Sequence, residues 1–411
     1  MTFGVFKKNR KLNVTIHMKG LIKIASLMII LSVAMPDIIA QNAIDENKLG
    51  GQSNIISTAV PFLNITPESR AGGMGDVGVA TSPDINSQHW NPAKYAFIDG
   101  QMGAAFSFTP WLRKLVNDIN MYYLTYYYRI DKLQTVSASL RYFSMGDITF
   151  TDESGTVQYT GKPNEFAFDA AYSRLLSDKF SGSVAFRYIR SDLTNGYSGD
   201  GSSLQAGNSF AADIAFFYYN KTKINRKKTD ISAGINISNI GSKISYDGGN
   251  TKEFIPTNLR LGAGIKTEID RYNEIAFSLD FNKLLVPTPD YNIESQQQYA
   301  EEYDKTSVTS AMFQSFNDAP GGFKEELQEI RISAGAEYWY SKQFALRAGY
   351  HHEHENKGNR KYMTAGAGLK FNMFTIDASY IIPLVQNNPL ANTIRFSLSF
   401  DLTEVSGGKR R

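Results

Sequence analysis

The sequence predicts an all-β fold: a 14-stranded antiparallel transmembrane β-barrel with a small N-terminal hatch. Three observations predict it. From residue 99 onward the chain repeats a short unit in which apolar residues alternate with small or polar ones, the period of a strand whose two faces meet different surroundings. The connections between these units alternate between long and short, and an export signal precedes them all. Composition narrows the field further. The 411 residues contain no cysteine, which excludes disulfides, thiolate metal sites, a thiol nucleophile and a lipid-modified N-terminal cysteine. A mean hydropathy of −0.30 argues against a bundle of membrane helices, yet 26 Phe, 23 Tyr and 3 Trp make the chain rich in aromatics.

Residues 1–40 read as a removable secretory address. Met18 to Lys23 is basic, Ile24 to Met35 is mostly apolar, and Ala40 precedes Gln41. Twelve apolar residues reach about 18 Å as a helix, short of a hydrocarbon core of about 30 Å. Met18 is an alternative start, which would make residues 1–17 an upstream extension. Six basic side chains (Lys7, Lys8, Arg10, Lys11, Lys19, Lys23) sit in this address against Asp37 alone, so beyond Ala40 the balance is 37 basic to 39 acidic. That near-neutral remainder gives no basic face for nucleic acid.

Residues 41–98 form the expected hatch. They hold Ser69-Arg70-Ala71-Gly72-Gly73-Met74-Gly75-Asp76-Val77-Gly78-Val79-Ala80 and then His89-Trp90-Asn91-Pro92-Ala93-Lys94. Gly73, Gly75 and Gly78 spell G-x-G-x-x-G, but a dinucleotide site also needs a preceding strand, a following helix and a βαβ unit. None is visible, so the glycines are read as tight turns and close backbone approach in a plug.

The barrel is expected over residues 99–402. Its strands fall at 101–108, 121–129, 135–143, 165–174, 180–189, 209–219, 229–239, 258–266, 274–282, 328–339, 344–351, 362–371, 374–381 and 394–402. The last shows the pattern best: Ile394, Phe396, Leu398, Phe400 and Leu402 on one face, Arg395, Ser397, Ser399 and Asp401 on the other. Odd connections run to 12, 21, 19, 18, 45, 10 and 12 residues, even ones to 5, 5, 9, 7, 4 and 2. An up-and-down meander puts odd connections at one rim and even ones at the other, which predicts an elaborate outer rim, a plain periplasmic rim and both chain ends in the periplasm. Glu165, Asp169, Arg187, Asp213, Arg260, Asp280, Arg331, Glu337, Arg347, Asp377, Arg395 and Asp401 all lie opposite the apolar stripe. In a membrane barrel they point into the lumen and pair there, whereas a soluble sandwich would leave them on its surface. Tyr126–Tyr128, Tyr218–Tyr219 and Tyr338–Tyr340 stand near strand ends, where interfacial girdles sit. Residues 403–411 are a C-terminal tail.

The run Arg70 to Ala80, followed by Asp84 and by Asn91-Pro92-Ala93, resembles the hatch signature of FadL-like outer-membrane transporters, whose barrels also have fourteen strands. The stretch from Ala71 to Asp84 with Asn86-Ser87-Gln88 and Trp90 to Phe97 is similar to the PorV family, the FadL-like barrels of the type IX secretion system. The resemblance implies a hatch motif at Arg70, Gly73, Gly75, Asp76, Gly78, Asn91 and Pro92. It further implies an outer-membrane component that is not an enzyme, has no catalytic residue and no cofactor, and receives cargo through its C-terminal domain. The implied partners are outer-membrane lipid, the SprA-like translocon channel, cargo C-terminal domains and a sortase-like attachment complex of the PorU type.

Candidate partner contacts come from the outer connections. The first and seventh are apolar for loops, with Trp111 and Leu112 in one and Leu384 and Val385 in the other; they either pack on each other or meet a partner. The 45-residue fifth connection, 283–327, is expected to hold a helical turn or two within Tyr299–Phe316, with Met312, Phe313 and Phe316 as a small apolar cluster, and to cover the mouth or contact a partner. His351-His352-Glu353-His354-Glu355 offers metal-ligand residue types, His352 and His354 on one face, but a wet loop is the simpler account and no metal site is assigned. Five of the eight residues 221–228 are basic and are read as a solvated inner turn that could meet an acidic periplasmic partner. Two other functions are weighed: a FadL-like transporter of hydrophobic small molecules, and a hydrolase, for which no G-x-S-x-G sequence is present.

Overall fold

Alternation closes fourteen strands into a ring. A computed structural model describes residues 54–151, 154–194, 204–289, 303–386 and 388–403; the secretory address, residues 41–53 and residues 404–411 lie outside the described residues. The strands are β1 (Met102–Pro110), β2 (Asn120–Arg129), β3 (Gln134–Ser144), β4 (Ile148–Thr151), β5 (Val157–Gly161), β6 (Asn164–Ser177), β7 (Phe180–Asp192), β8 (Gly207–Ile224), β9 (Lys227–Gly241), β10 (Asn258–Glu268), β11 (Asn273–Leu284), β12 (Arg331–Tyr340), β13 (Phe344–His352), β14 (Lys361–Phe371), β15 (Phe374–Pro383) and β16 (Ile394–Asp401). Each barrel strand pairs antiparallel with the next, β3 pairs with β6, and β16 returns to β1 from Gly103↔Asp401 to Phe108↔Phe396. Closure leaves no unpaired edge, the condition for strands in lipid.

The two faces separate as the alternation predicts. Phe168, Phe186, Phe210, Phe277 and Phe396 stand exposed on the outside, and Asp169, Arg187, Asp213, Asp280, Glu337 and Arg395 are buried inside. The inward charges pair: Arg187 binds Asp169 and, at 3.0 Å, Asp213, while Arg347 binds Glu337 at 2.9 Å and Asp377 at 2.6 Å. Such pairs offset much of the desolvation that burial imposes on each ion. The aromatic clusters split by parity: Tyr126, Tyr128 and Tyr218 face outward at the inner rim, and buried Tyr127 turns inward to stack on Tyr95 at 5.5 Å.

Three features depart from the sequence reading. The second outer connection, residues 144–164, contains a separate hairpin, β4–β5. Residues 220–228 are not a turn: β8 and β9 run through them to a two-residue turn at Asn225 and Arg226, with φ of 50° and 65°. Both central residues with positive φ define the type I′ turn that matches strand twist; charged side chains in place of the alternation hid these strand ends. The described chain also starts at the outer rim, because Asn54 N–H donates to Asn356 O in the connection between β13 and β14, and Ala59 N–H to Phe254 O. It then descends the lumen to β1, so the described hatch begins at the rim opposite the one where the sequence reading put both chain ends.

Candidate functional site: the hatch and the outer rim

The hatch is bound to the wall along its whole descent. Pro61–Asn64 makes a 3-10 turn whose Phe62 and Leu63 are buried, and the carbonyls of these two residues accept from Arg141 at 3.3 and 2.8 Å. The one-turn helix α1 (Ser69–Gly72) is capped by the Glu68 carboxylate, which accepts from the backbone N–H groups of Arg70 and Ala71 and from Trp90 Nε1 at 3.1 Å. Arg70 then ties the hatch to the wall with its whole fork, two nitrogens on the barrel and one on the hatch itself. Its Nε and Nη2 donate to the two oxygens of Glu337 at 2.9 and 2.8 Å, and Nη1 donates to Asp84 at 2.6 Å. Glu337 also takes Arg347, so Asp84, Arg70, Glu337, Arg347 and Asp377 form one chain of charges from hatch to barrel.

The glycine motif is a seat for the hatch on the wall. Gly75 has φ of +72°, and a Cβ there would stand 2.5 Å from Tyr350 N and 2.9 Å from Ala334 O. Gly73 lies against Gly366, and Gly78 lies under the Trp90 ring. The N–H groups that a phosphate would need are already used: Gly78 and Val79 donate to Asp280 at 2.7 and 2.9 Å, and Gly75 to Thr364 Oγ1 at 2.8 Å. Asp76 accepts from Tyr362 Oη at 2.5 Å. Asn91 caps the next 3-10 turn through Ala93 N–H and donates to Val79 O and Phe216 O, and the Pro92 carbonyl accepts from Ser173. All seven motif residues thus serve hatch docking. Sequence reasoning missed Glu68, Lys94 and Arg141 as hatch anchors. Lys94 is fully buried and donates to Gly78 O and Thr81 Oγ1, each at 2.9 Å; no local pattern marks such a contact.

The candidate contact residues of the outer rim separate into two places. Trp111 and Leu112 pack against Tyr362, Ile381 and Leu390, so the first and seventh outer connections do meet. Leu384 remains exposed beside them and Val385 is half-buried. The fifth connection folds into α3 (Val308–Gln314), after α2 (Ser87–Trp90) in the hatch, and α4 (Phe323–Gln328). Its inward cluster is Ala311 with Phe254 and Val286, joined by Tyr303 and Val308. Met312 is half-buried, whereas Phe313 is 81% exposed, Phe323 74% and Phe316 50%, so the expected cluster of Met312, Phe313 and Phe316 turns outward. α4 is anchored from beneath: Lys283 binds Glu326 at 2.9 Å and also Glu329, and Lys357 binds Glu325 at 2.6 Å and Glu329 at 3.0 Å. The histidines diverge. Buried His351 contacts Ser333 Oγ through Nδ1 and stacks on Tyr362, His352 lies beside Tyr350, and His354 caps the Glu355–Lys357 turn; among the described residues no three acids or histidines gather as a metal site.

Burial pushes the Asp318 carboxyl up to about 6, with Glu326 and Glu329 adding to the rise and the Thr288 amide opposing it. A raised folded-state value means that protonation favours the folded loop, a contribution full below the ordinary carboxylate range and lost as pH rises through about 6. Amide exchange in α3 and α4, corrected for its intrinsic pH dependence, is therefore expected to be slower at low pH than above neutrality. Asp318→Asn should flatten that dependence; an unchanged profile would refute it.

Comparison with known proteins follows this geometry. Among solved structures the fold is similar to the Pseudomonas putida toluene transporter TodX (10% identity, 85% of this chain and 99% of that one, TM-score 0.45). It is also similar to a Pseudomonas aeruginosa FadL homologue (11%, 85% and 99%, TM-score 0.40) and to the Ralstonia pickettii toluene transporter TbuX (11%, 81% and 97%, TM-score 0.41). No curated protein matches. Residues 48–291, more than half of the chain, match the family model described as Type IX secretion system protein PorV. With its closed barrel of fourteen strands, the chain belongs to the PorV family and is a bacterial outer-membrane protein of the type IX secretion system.

Proposed function

We propose that this barrel handles exported cargo at the cell surface. Its outer rim receives the C-terminal signal domain of a secreted protein, the barrel associates with the SprA-like translocon channel, and the cargo passes to the PorU-like sortase complex. The observation that carries this reading is the fifth outer connection, which holds Phe313 on α3 and Phe316 just past it in solvent over the buried Ala311 cluster, and Phe323 in solvent on α4, which buried Lys283 and Lys357 anchor. Large exposed aromatics on a rigid base are what a protein contact requires, because little side-chain or loop entropy remains to be lost on binding. Nothing in this role asks for catalysis or a cofactor.

The alternative, transport of hydrophobic small molecules, calls for an apolar path. The outer cavity, about 290 Å³, is lined by Glu329, Arg331, Glu353, Lys357 and Arg360 as well as by Ile55, Ile56, Pro61 and Leu284, so its wall is mixed, and the buried hatch lies below it. Gentle detergent extraction followed by mass spectrometry tests the proposal. A very large barrel and proteins sharing a C-terminal domain are expected; a bound fatty acid with no partner would overturn it. Phe313→Asp with Phe316→Asp should lower cargo recovery about tenfold or more, the loss of one hot spot of about 2 kcal/mol, with the barrel intact. Recovery equal to the parent protein would remove these residues from the contact.

A further inference from the structure

The inner rim opens into a cavity of about 790 Å³ roofed by the hatch at residues 82–86 and 97–100, and Lys221, Lys223 and Lys228 lie on its wall. These lysines belong to a hairpin that outruns its neighbours. The β7 ladder ends at Phe180↔Tyr218 and the β10 ladder at Thr267↔Thr229, while β8 and β9 stay paired to Ile224↔Lys227. The projecting part carries Lys221, Lys223, Arg226, Lys227 and Lys228, and the one carboxylate opposite them, Asp230, accepts from Tyr219 Oη at 2.7 Å.

Strand parity decides where these charges aim. Phe217 and Tyr219 face the interior, so Lys221 and Lys223 do too, and Lys228 joins them as the cross-strand partner of Lys223. Asn220 and Ile224 fall on the other face, and Thr222 also borders the cavity. A hairpin built to hold anionic lipid headgroups would have the opposite parity. Lys223 and Lys228 stand directly across from each other, an arrangement of like charges that weakens a strand pair. Lys223 has no ion pair among the described residues; exposed Lys228 binds half-buried Glu268 at 3.3 Å, and Lys221 lies over the Tyr219 ring. Deeper in the same cavity is Arg347, whose buried Nη2 lacks a hydrogen-bond partner. Of the acids on the near wall, Asp230 is taken by Tyr219, Glu268 by Lys228, and Glu274 by Lys266 at 2.6 Å and Lys342 at 3.1 Å; Asp377 and Asp401 line the cavity from β15 and β16, across the ring from β8 and β9, and Asp99 lines it from the segment just before β1.

We propose that the β8–β9 hairpin is a docking arm for an acidic peptide segment of a periplasmic protein, which lies across Lys221, Lys223 and Lys228 at the mouth of the inner cavity. An extended chain with several carboxylates relieves the Lys223–Lys228 repulsion at two points at once, and the cavity has the volume of a site for a drug-sized ligand or a few residues. The inference is independent of the outer-rim contact.

The test uses the full-length protein in phosphatidylcholine nanodiscs with fluorescein-labelled hexaglutamate, read by anisotropy at low salt. Saturable binding that weakens as salt screens it is expected, with no binding of hexaglutamine. Lys221→Gln with Lys223→Gln and Lys228→Gln should weaken it about tenfold or more, whereas Arg226→Gln with Lys227→Gln, at the tip, should weaken it less than threefold. Lys162→Gln on the outer β5–β6 connection should leave it unchanged, and an unaltered chymotryptic pattern of the triple variant shows that its barrel is folded. The proposal is overturned if the triple variant binds as the parent does, if the tip variant loses as much, if hexaglutamine binds equally, or if phosphatidylglycerol nanodiscs occupy the arm and abolish binding.

Discussion

Replacing Arg70 by alanine is expected to cost about 3–5 kcal/mol and to free the hatch from the barrel wall, the typical consequence of leaving a buried ion without its partner. Arg70 and Glu337 are both shielded, with side chains 12% and 1% exposed, and the pair is bidentate with Asp84 on the third nitrogen. Lysine keeps the charge but cannot fill two carboxylate oxygens and Asp84 together, so Arg70→Lys should recover only part of the loss. Urea unfolding followed by tryptophan fluorescence gives the stability, and single-channel conductance reports the hatch. Arg70→Ala with the parent midpoint and the parent conductance would show that the charge chain does not hold the hatch. A double-mutant cycle with Glu337→Gln separates the pair energy from the effect of each deletion.

A methyl group at Gly349 should have an effect of similar size for a steric reason. Its Cβ would sit 2.0 Å from both Gly75 N and Met74 C, backbone atoms that no rotamer change can move. Gly75→Ala meets backbone on the other side of the same contact and adds the strain of φ at +72°, itself about 1–2 kcal/mol. Each variant is expected to lose about 3 kcal/mol and to make the hatch sensitive to trypsin after Arg70. Gly155→Ala is the control, because its φ is +80° with no atom within 4 Å of the added carbon; it should show the backbone strain alone. Equal losses at Gly155 and Gly75 would mean that conformation, not contact, sets the requirement at Gly75, and a loss at Gly349 no larger than at Gly155 would remove the steric account there.

Period-two alternation made the ring legible. Ile394 to Asp401 could be read as a strand with one wet and one dry face because its hydrophobic and polar residues never exchange sides, and the inward charges then paired as that parity demands. The same rule failed at Lys221 to Lys228, where neither face is apolar and the strands continue on ladder hydrogen bonds and a type I′ turn alone. The hatch motif was legible as a motif but not as a mechanism. That Asp280 would fill the Gly78 and Val79 amides depends on two residues 202 positions apart, and nothing local to either encodes the meeting. The direction of the hatch was illegible for the same reason: Asn54 is fixed at the outer rim by Asn356 and Glu325. The outer contact residues were found as apolar outliers, but Trp111 and Phe313 looked alike in sequence and separate only when Leu390 and Ile381 cover the first.

The descent of the hatch from Asn54 to β1 also bears on how the ring is closed. A chain that enters the lumen at one rim and leaves it at the other is threaded, and the seam between β1 and β16 closes around it. Ser69 N–H donates to Ser397 Oγ on β16, and Ser397 shares a hydrogen bond with Ser107 on β1. The hatch is thus hydrogen-bonded to β16 at the residue that joins β16 to β1, so the register of the closing seam is held from inside the lumen as well as by its own ladder.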